Sequence, residues 1–482
     1  MITSSDSHSD PRPYTLHFYG GTGAATGAHF VLTGPRNNGS LLPNGESSLV
    51  FSLGIDCGLE QGTKEAEAFN HTDFPYDPST LDVLLVTHAH TDHIGRIPKL
   101  VHDGFCGTIY STPETKKITE IMYDDALKLL TMEAMHHGIE PLYNATDVAK
   151  ALSMWKTIEY HTPFELHPGY DVYLKDAGHV LGSAMYELTI SDKRRDFKRK
   201  IVFTGDLGNS PAPLLRDTED ITDADYILME SVYGDRNHED RGLRLQKLQD
   251  IINENHQRGG VLIMPVFALE KTQELLYEIN ELIRDKKIPI NPVYLDAPLA
   301  IKLTAVYEQM THNFNEHAKK DIRHDDIFNF PGLHVSQSAE DSMAIAHMPS
   351  PKIIMAGSGM SSGGRILHHE AQFLKDPKNT ILFTGYQAVG TLGRLIRDGA
   401  PSVEIQGQNI PIRAKVETID GYSSHKDMDH LVEFVSKSQD SLRKVFVAMG
   451  ETKSSLFLVQ RLRDYLGIKA ISPTLGDHII LD

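Results

Sequence analysis

The chain has 482 residues, 40% hydrophobic and 23% charged, the make-up of an ordinary globular protein and long for a single core. No run of about 18 apolar residues occurs, so no membrane association is expected, and two cysteines, Cys57 and Cys106, give no disulfide framework and fit the reducing cytoplasm. A formal charge of −18 argues against a broad basic face that coats nucleic acid, but it leaves room for a local cleft in which divalent ions hold a polyanion.

Residues 1–14 are polar and Pro-containing, lack the apolar stretch of a secretory signal, and read as a flexible tail. Leu81 to Thr87 is a short apolar run of the buried-strand type. A helix is expected to open at Thr112, with Pro113 in its first turn and Ile118, Ile121, Met122 and Leu129 along one side. Thr146 to Ile158 places Val148, Leu152, Trp155 and Ile158 at helical spacing. The charged run Asp192 to Lys200 lies between the apolar runs Tyr186 to Ile190 and Ile201 to Phe203 and reads as a hairpin tip. A solvated turn is favoured there over an RNA-steering patch.

A new pattern begins near Gly234. A helix through Leu245, Leu248 and Ile252 is followed by Gly259-Gly260 and the strand Val261 to Met264, closed by Pro265. Strand signals recur at Pro292 to Leu295, Lys352 to Met355 and Thr380 to Phe383. Strands alternating with helices imply a second, largely parallel sheet.

The chemistry concentrates at Thr87-His88-Ala89-His90-Thr91-Asp92-His93, directly after a buried strand. In extended backbone, residues two apart face the same side, so His88 and His90 can share one ion. The turn that follows carries Asp92 and His93 toward a second. A lone histidine is usually structural, but so many ligand-type side chains in one strand-end turn are hard to explain as packing. Imidazole with carboxylate suits zinc, with manganese or iron open by the same logic.

This run resembles the H-x-H-x-D-H motif of the metallo-β-lactamase superfamily. The resemblance implies that His179, in Gly178-His179-Val180-Leu181-Gly182-Ser183, completes the first site, and that Asp206, in Thr204-Gly205-Asp206, bridges two ions. It also implies that Asp56, in Ile55-Asp56-Cys57-Gly58, supports the ligands from behind. The long insertion after Asp206 is similar to that of the β-CASP nucleases. The stretches Glu230 to Arg236, Phe267 to Leu275, Asp296 to Ala300, Ser358 to Arg365 and Tyr386 to Gly393 resemble their prokaryotic RNA-cleaving branch, relatives of the nuclease of eukaryotic messenger 3′-end cleavage. The implied fold is α/β: a metallo-β-lactamase αββα sandwich from residues 15–234 and 413–482, with a β-CASP α/β domain inserted at 235–412.

The resemblance further implies that Asp92 joins the catalytic centre and that a hydroxide bridging the ions attacks phosphorus. His425 protonates the leaving oxygen, and Glu230 orients it. The loop Ser358 to Arg365 is expected to bind a substrate phosphate through Ser358, Gly359, Ser361, Ser362, Gly363 and Arg365, because backbone N–H groups at a helix start attract anions. The resemblance implies single-stranded RNA as the partner, and a homodimer is expected by analogy. Three departures weaken the pattern. Met449 stands where the family places a histidine on the second ion, so that ion is expected to bind weakly. Glu270-Lys271 replaces a usual glycine and arginine, and Ala297 a usual serine. The rivals are a DNA nuclease, which the absent histidine favours, a noncatalytic scaffold, and a small-molecule hydrolase, which the long insertion disfavours.

Overall fold

The computed structural model describes residues 13–36, 41–46, 48–138, 140–193, 195–239 and 241–482. Most of the expected tail lies outside them, and Tyr14 already opens the first strand. Two seven-stranded sheets and one six-stranded sheet organise the chain.

The first sheet runs in the order His478–Leu481, Tyr14–Phe18, Phe30–Pro35, Val50–Ile55, Val83–Leu85, Thr108–Ser111, Trp155–Thr157. The second runs Ala470–Ile471, Lys444–Val447, Tyr226–Met229, Phe197–Phe203, Ala184–Asp192, Tyr170–Asp176, Phe164–His167. Both therefore combine strands from the two ends of the chain. Their inner faces share one core, in which Leu16, Phe18, Phe30, Leu53 and Leu85 meet Leu188, Ile201, Phe203, Leu228 and Phe446. Alternation explains the outer faces: Met185, Val202, Ile227, Met229 and Val445 point the other way and pack on Leu431, Phe434, Leu458 and Leu462 of two helices, Met428–Ser436 and Thr452–Leu466. Leu84, Ile109 and Trp155 on the far side of the first sheet pack on Ile97, Leu100, Ile118 and Val148 of helices. The result is a four-layered αββα sandwich.

The six-stranded sheet orders Leu333–Val335, Val293–Asp296, Lys352–Ala356, Val261–Pro265, Thr380–Phe383, Lys415–Thr418, and every pairing is parallel. Helices Arg244–Arg258 and Lys271–Arg284 precede and follow its strand Val261–Pro265. The strand Lys415–Thr418 lies past residue 412, where the sequence suggested that the insertion ends.

Most expected elements form, with one shift. Thr112 caps the helix Pro113–His137, its hydroxyl accepting from the Thr115 N–H at 3.2 Å. The helix expected to reach Ile158 stops at Ser153, and Trp155–Thr157 becomes an edge strand paired with Thr108–Ser111. Bulky Trp155 gains more from the sheet, where it is buried and its indole N–H donates to Ser111 Oγ at 2.8 Å, than from another helical turn. The charged run does form a hairpin, with Phe197 to Phe203 paired antiparallel to Tyr186 to Asp192. Its cations find local acids: Lys200 bonds Asp223 at 2.8 Å, and Arg195 lies 3.4 Å from Asp192. Those pairs favour the solvated turn. Among the described residues no helix is long and apolar enough to cross a membrane.

The first sheet meets the site through a close backbone crossing at Gly58. A Cβ there would stand 1.5 Å from the Asp92 carbonyl oxygen and 2.7 Å from the His93 nitrogen. The neighbouring Cys57 N–H donates to the His93 carbonyl at 2.8 Å, which holds the two loops together. Gly58→Ala is expected to force them apart and lower unfolding free energy by about 1–3 kcal/mol, as overpacking does; urea titration checks this, and an unchanged midpoint rules the crossing out as a constraint.

Candidate active site

The functional side chains gather at the carboxyl ends of parallel strands, the usual place for a site in such sheets. Asp56 follows Val50–Ile55 and His88 follows Val83–Leu85, strands registered Ile55 to Leu85. Asp206 follows Phe197–Phe203 and Glu230 follows Tyr226–Met229, registered Phe203 to Leu228. His90 keeps extended backbone ahead of the short helix Thr91–Ile94, whose first turn carries Asp92 and His93.

Two donor sets meet on Asp206. His90 Nδ1 lies 3.0 Å from His88 Nε2 and 3.2 Å from His179 Nε2, and both of those nitrogens lie 3.5 Å from Asp206 Oδ2. The edge of a tetrahedron around an ion bound at about 2.0–2.1 Å is about 3.3 Å, so this spacing suits one tetrahedral cation. On the other side His93 Nε2 stands 3.5 Å from Asp206 Oδ1 and 3.9 Å from Asp92 Oδ2. His93 Nε2 and Asp206 Oδ1 are both buried without a hydrogen-bond partner. Buried polar atoms are seldom left so, and a second cation between them would satisfy both.

Supporting bonds fix which nitrogen of each ring carries its proton. The Thr87 hydroxyl donates to Asp56 Oδ2 at 2.8 Å and so accepts from His88 Nδ1 at 3.1 Å. His93 Nδ1 donates to Asp56 Oδ2 at 2.8 Å, and His179 Nδ1 donates to the Ser424 carbonyl at 3.2 Å. In His88 and His179 Nε2 is left with a lone pair facing the pocket, and His93 also turns its Nε2 to the pocket. Sequence reasoning placed Asp56 behind the ligands but missed Thr87 and Ser424. Thr87 had a signal, a hydroxyl next to His88 at a strand end; the Ser424 carbonyl had none.

Burial is the first influence on the charges. It pushes the pKa of His90 down to about 3, and it drives His88 and His179 well below the ordinary imidazole range, helped by neighbouring rings. These three are neutral, as ligands must be. Burial opposes charge on His93 too, but Asp206 and Asp56 outweigh it and hold its pKa well above the ordinary value. Burial likewise favours a neutral Asp206, yet His93 and His88 keep its carboxylate well below the usual range. Asp92, pressed by burial and by Asp206, rises to about 6.

Beside this cluster stands His425, its Nδ1 3.1 Å from both oxygens of Glu230 and 4.0 Å from Asp206 Oδ2. Glu230 is fully buried and accepts from the Leu207 N–H at 2.6 Å. The Asn209 N–H donates to the Ser424 carbonyl at 2.9 Å and the Lys426 N–H to the Leu207 carbonyl at 2.9 Å, so the His425 segment is seated on the Asp206 loop. Burial depresses the His425 pKa, but Glu230, Asp206 and Asp92 together raise it to about 9.

The expected phosphate loop is only partly free. Arg365 donates to Asp296 Oδ1 at 2.6 Å and to the Ser336 carbonyl at 3.0 Å, and the buried Ser361 hydroxyl donates to Glu370 at 2.5 Å. Arg365 and Ser361 are thus engaged within the inserted unit; a run of glycines and serines does not reveal which side chains bond inward. Ser358, Gly359, Ser362 and Gly363 remain at the turn. Met449 follows Lys444–Val447, is 1% exposed, has a left-handed backbone with φ 46°, and joins the core of the sandwich.

Comparison with known proteins agrees with this geometry. The family model described as a Beta-Casp domain matches residues 272–396, the Zn-dependent metallo-hydrolase RNA specificity domain matches residues 409–473, and the Anti-Pycsar protein Apyc1 model matches residues 16–239. The chain is 35% identical over 405 residues to Ribonuclease TTHA0252 of Thermus thermophilus, spanning 84% of this chain and 89% of that one. It is 33% identical over 427 residues to an RNase J-like protein of Methanocaldococcus jannaschii, spanning 88% and 92%, and 30% identical over 444 residues to transcription termination factor FttA of Methanosarcina mazei, spanning 89% and 67%. A solved Enterococcus faecalis protein of unknown function shares the fold, with a TM-score of 0.54 at 12% identity, covering 98% of this chain and 100% of that one. The chain belongs to the β-CASP ribonuclease family of metallo-β-lactamase-fold proteins.

Two outcomes are expected. In metal-free protein near neutral pH, His93 holds a proton that a cation must displace, whereas His88, His90 and His179 hold none. Rising pH therefore strengthens the ion at His93 and leaves the other nearly unaffected. Calorimetry in two buffers of different ionisation enthalpy should give about zero protons released with the first ion and about one with the second; several released with the first would sink the assignment. Met449→His should raise retention of the second ion, since histidine tolerates left-handed backbone better than most residues. Indistinguishable zinc titrations of parent and variant would mean that another group supplies the ligand.

Proposed function

We propose that the chain is a zinc-dependent ribonuclease that hydrolyses phosphodiester bonds of single-stranded RNA. The metal-bearing unit comprises about residues 13–234 and 419–482 and the inserted unit about 235–418, a boundary supported by the edge strand Lys415–Thr418. One observation carries the reading: Asp206 turns one oxygen to His88 and His179 and the other to His93, all at 3.5 Å, with the His425–Glu230 pair at its side. The names of the relatives, two ribonucleases and a termination factor, support RNA over DNA as substrate.

The residues fit two divalent ions. His88, His90, His179 and Asp206 would hold one; His93, Asp92 and Asp206 would hold the other. Three neutral imidazoles and a carboxylate suit zinc best. When bound, such a pair supplies Lewis acidity and a nucleophile from water near neutral pH. The protein's own part is positional and protonic. Asp56 and Thr87 keep His88 and His93 in register, so the donors need no rearrangement as charge develops. Glu230 binds His425 through Nδ1, which leaves Nε2 to deliver a proton to the departing 3′-oxygen. The raised pKa of His425 keeps that proton in place at neutral pH, and nearby cations would draw it down toward the working range.

Incubation of zinc-loaded protein with labelled RNA and DNA strands of one sequence tests the reading: RNA should be cut and DNA spared, and preferential cutting of DNA would overturn it. His425→Ala should keep its zinc and slow single-turnover cleavage by about 10²–10⁴-fold, the contribution of a positioned acid. Zinc lost from that variant would make His425 a ligand instead.

A further inference from the structure

The helix Lys271–Arg284 of the inserted unit begins beside the active site in an unusual way. Glu270, immediately before it, has φ 66° and ψ −55°, and the Lys271 N–H donates to the Leu269 carbonyl at 2.8 Å. This is the rare, strained form of γ-turn, which glycine adopts far more easily than glutamate. Strained backbone persists where its surroundings over-determine it, and it clusters at functional sites. Glu270 is 2% exposed, so solvent does not hold its side chain there.

What holds it is a relay that runs through Tyr307 of the same unit to the metal-bearing unit. The Tyr307 hydroxyl donates to Glu270 Oε2 at 2.5 Å and accepts from the Leu181 N–H at 3.4 Å. Leu181 belongs to the turn that supplies His179, in which the His179 N–H is itself bonded to Ser183 Oγ at 3.0 Å. The next residue reaches a second loop. Lys271 Nζ is paired with Glu274 at 2.5 Å and donates to the Tyr422 carbonyl, three positions before His425. Tyr422 in turn donates its hydroxyl to Glu278, one helical turn past Glu274, and Lys271 is itself 4% exposed.

We propose that Glu270 and Lys271 are positioning residues, a two-armed clamp by which the inserted unit sets the His179 turn with one arm and the His425 segment with the other. The strain at Glu270 is the cost of placing a carboxyl where a glycine would leave nothing to reach Tyr307. Burial and the nearby Glu274 push the Glu270 pKa up to about 8, so this arm works through hydrogen bonds more than charge, and glutamine is a close mimic. The inference rests on the metal and acid roles given above to His179 and His425.

The arms can be read separately in the zinc-loaded full-length protein. Glu270→Gly relieves the strain and cuts the first arm. Its unfolding temperature should equal or exceed the parent's, while the EDTA concentration that strips half the zinc should fall about tenfold or more, the usual effect of losing a supporting contact. Glu270→Gln should stay close to the parent in both. Lys271→Met with Glu274→Gln removes both members of the buried ion pair, so no charge is stranded; it should hold zinc as the parent does but cleave RNA about tenfold or more slowly in single turnover. Zinc retention unchanged in Glu270→Gly, or lost in parallel with a fall of several degrees in unfolding temperature, would overturn the first arm. Zinc lost along with rate in the double variant would overturn the second. A parent that cleaves no RNA would defeat the ribonuclease reading, and the chelation and unfolding measurements would still decide the role of Glu270.

Discussion

The carboxylate of Asp206 is buried among His88, His93 and His179, in contact distance of all three, and the architecture around it answers to that crowding. Electrostatics inside a dry pocket are strong in both directions, so imidazoles forced together shed their protons while the one beside two acids keeps its own. The two donor sets therefore differ in kind before any ion arrives: one is a neutral cage, the other a cationic ring facing acids. Asp56 and Thr87, holding His88 and His93 from behind, convert the difference into fixed ring orientations.

Much of this could be read from the amino-acid order because it is local. His88, His90, Asp92 and His93 lie in one turn at the end of one strand, whereas Asp56, Asp206 and Glu230, each after an apolar run, stand out by resemblance to family motifs. What stayed hidden depends on contacts across long stretches of chain. Ser424 reaches His179 through a backbone carbonyl that any residue would offer, and Arg365 turns inward because Asp296 waits on a neighbouring strand. The helix expected through Trp155 failed for a related reason: spacing cannot show that a sheet edge is available to take a bulky aromatic side chain.

Met449 and Glu270 illustrate two kinds of departure from a family pattern. Met449 has been absorbed into the sandwich core, where a thioether packs as a hydrophobe. Glu270 has been put to use, its carboxyl bonded to Tyr307, which in turn accepts from the Leu181 N–H of the other unit. The first serves packing, whereas the second serves a polar relay between units.

The pairing of His478–Leu481 with Tyr14–Phe18 means that the first sheet joins strands more than four hundred residues apart in the chain. All six proposed metal donors lie at or before Asp206, while His425 comes about two hundred residues later. At the usual pace of synthesis, about 5–20 residues per second, that gap is some ~10–40 s. A growing polypeptide therefore carries the six proposed metal donors well before the proposed proton donor, so metal binding and acid catalysis would become available in that order.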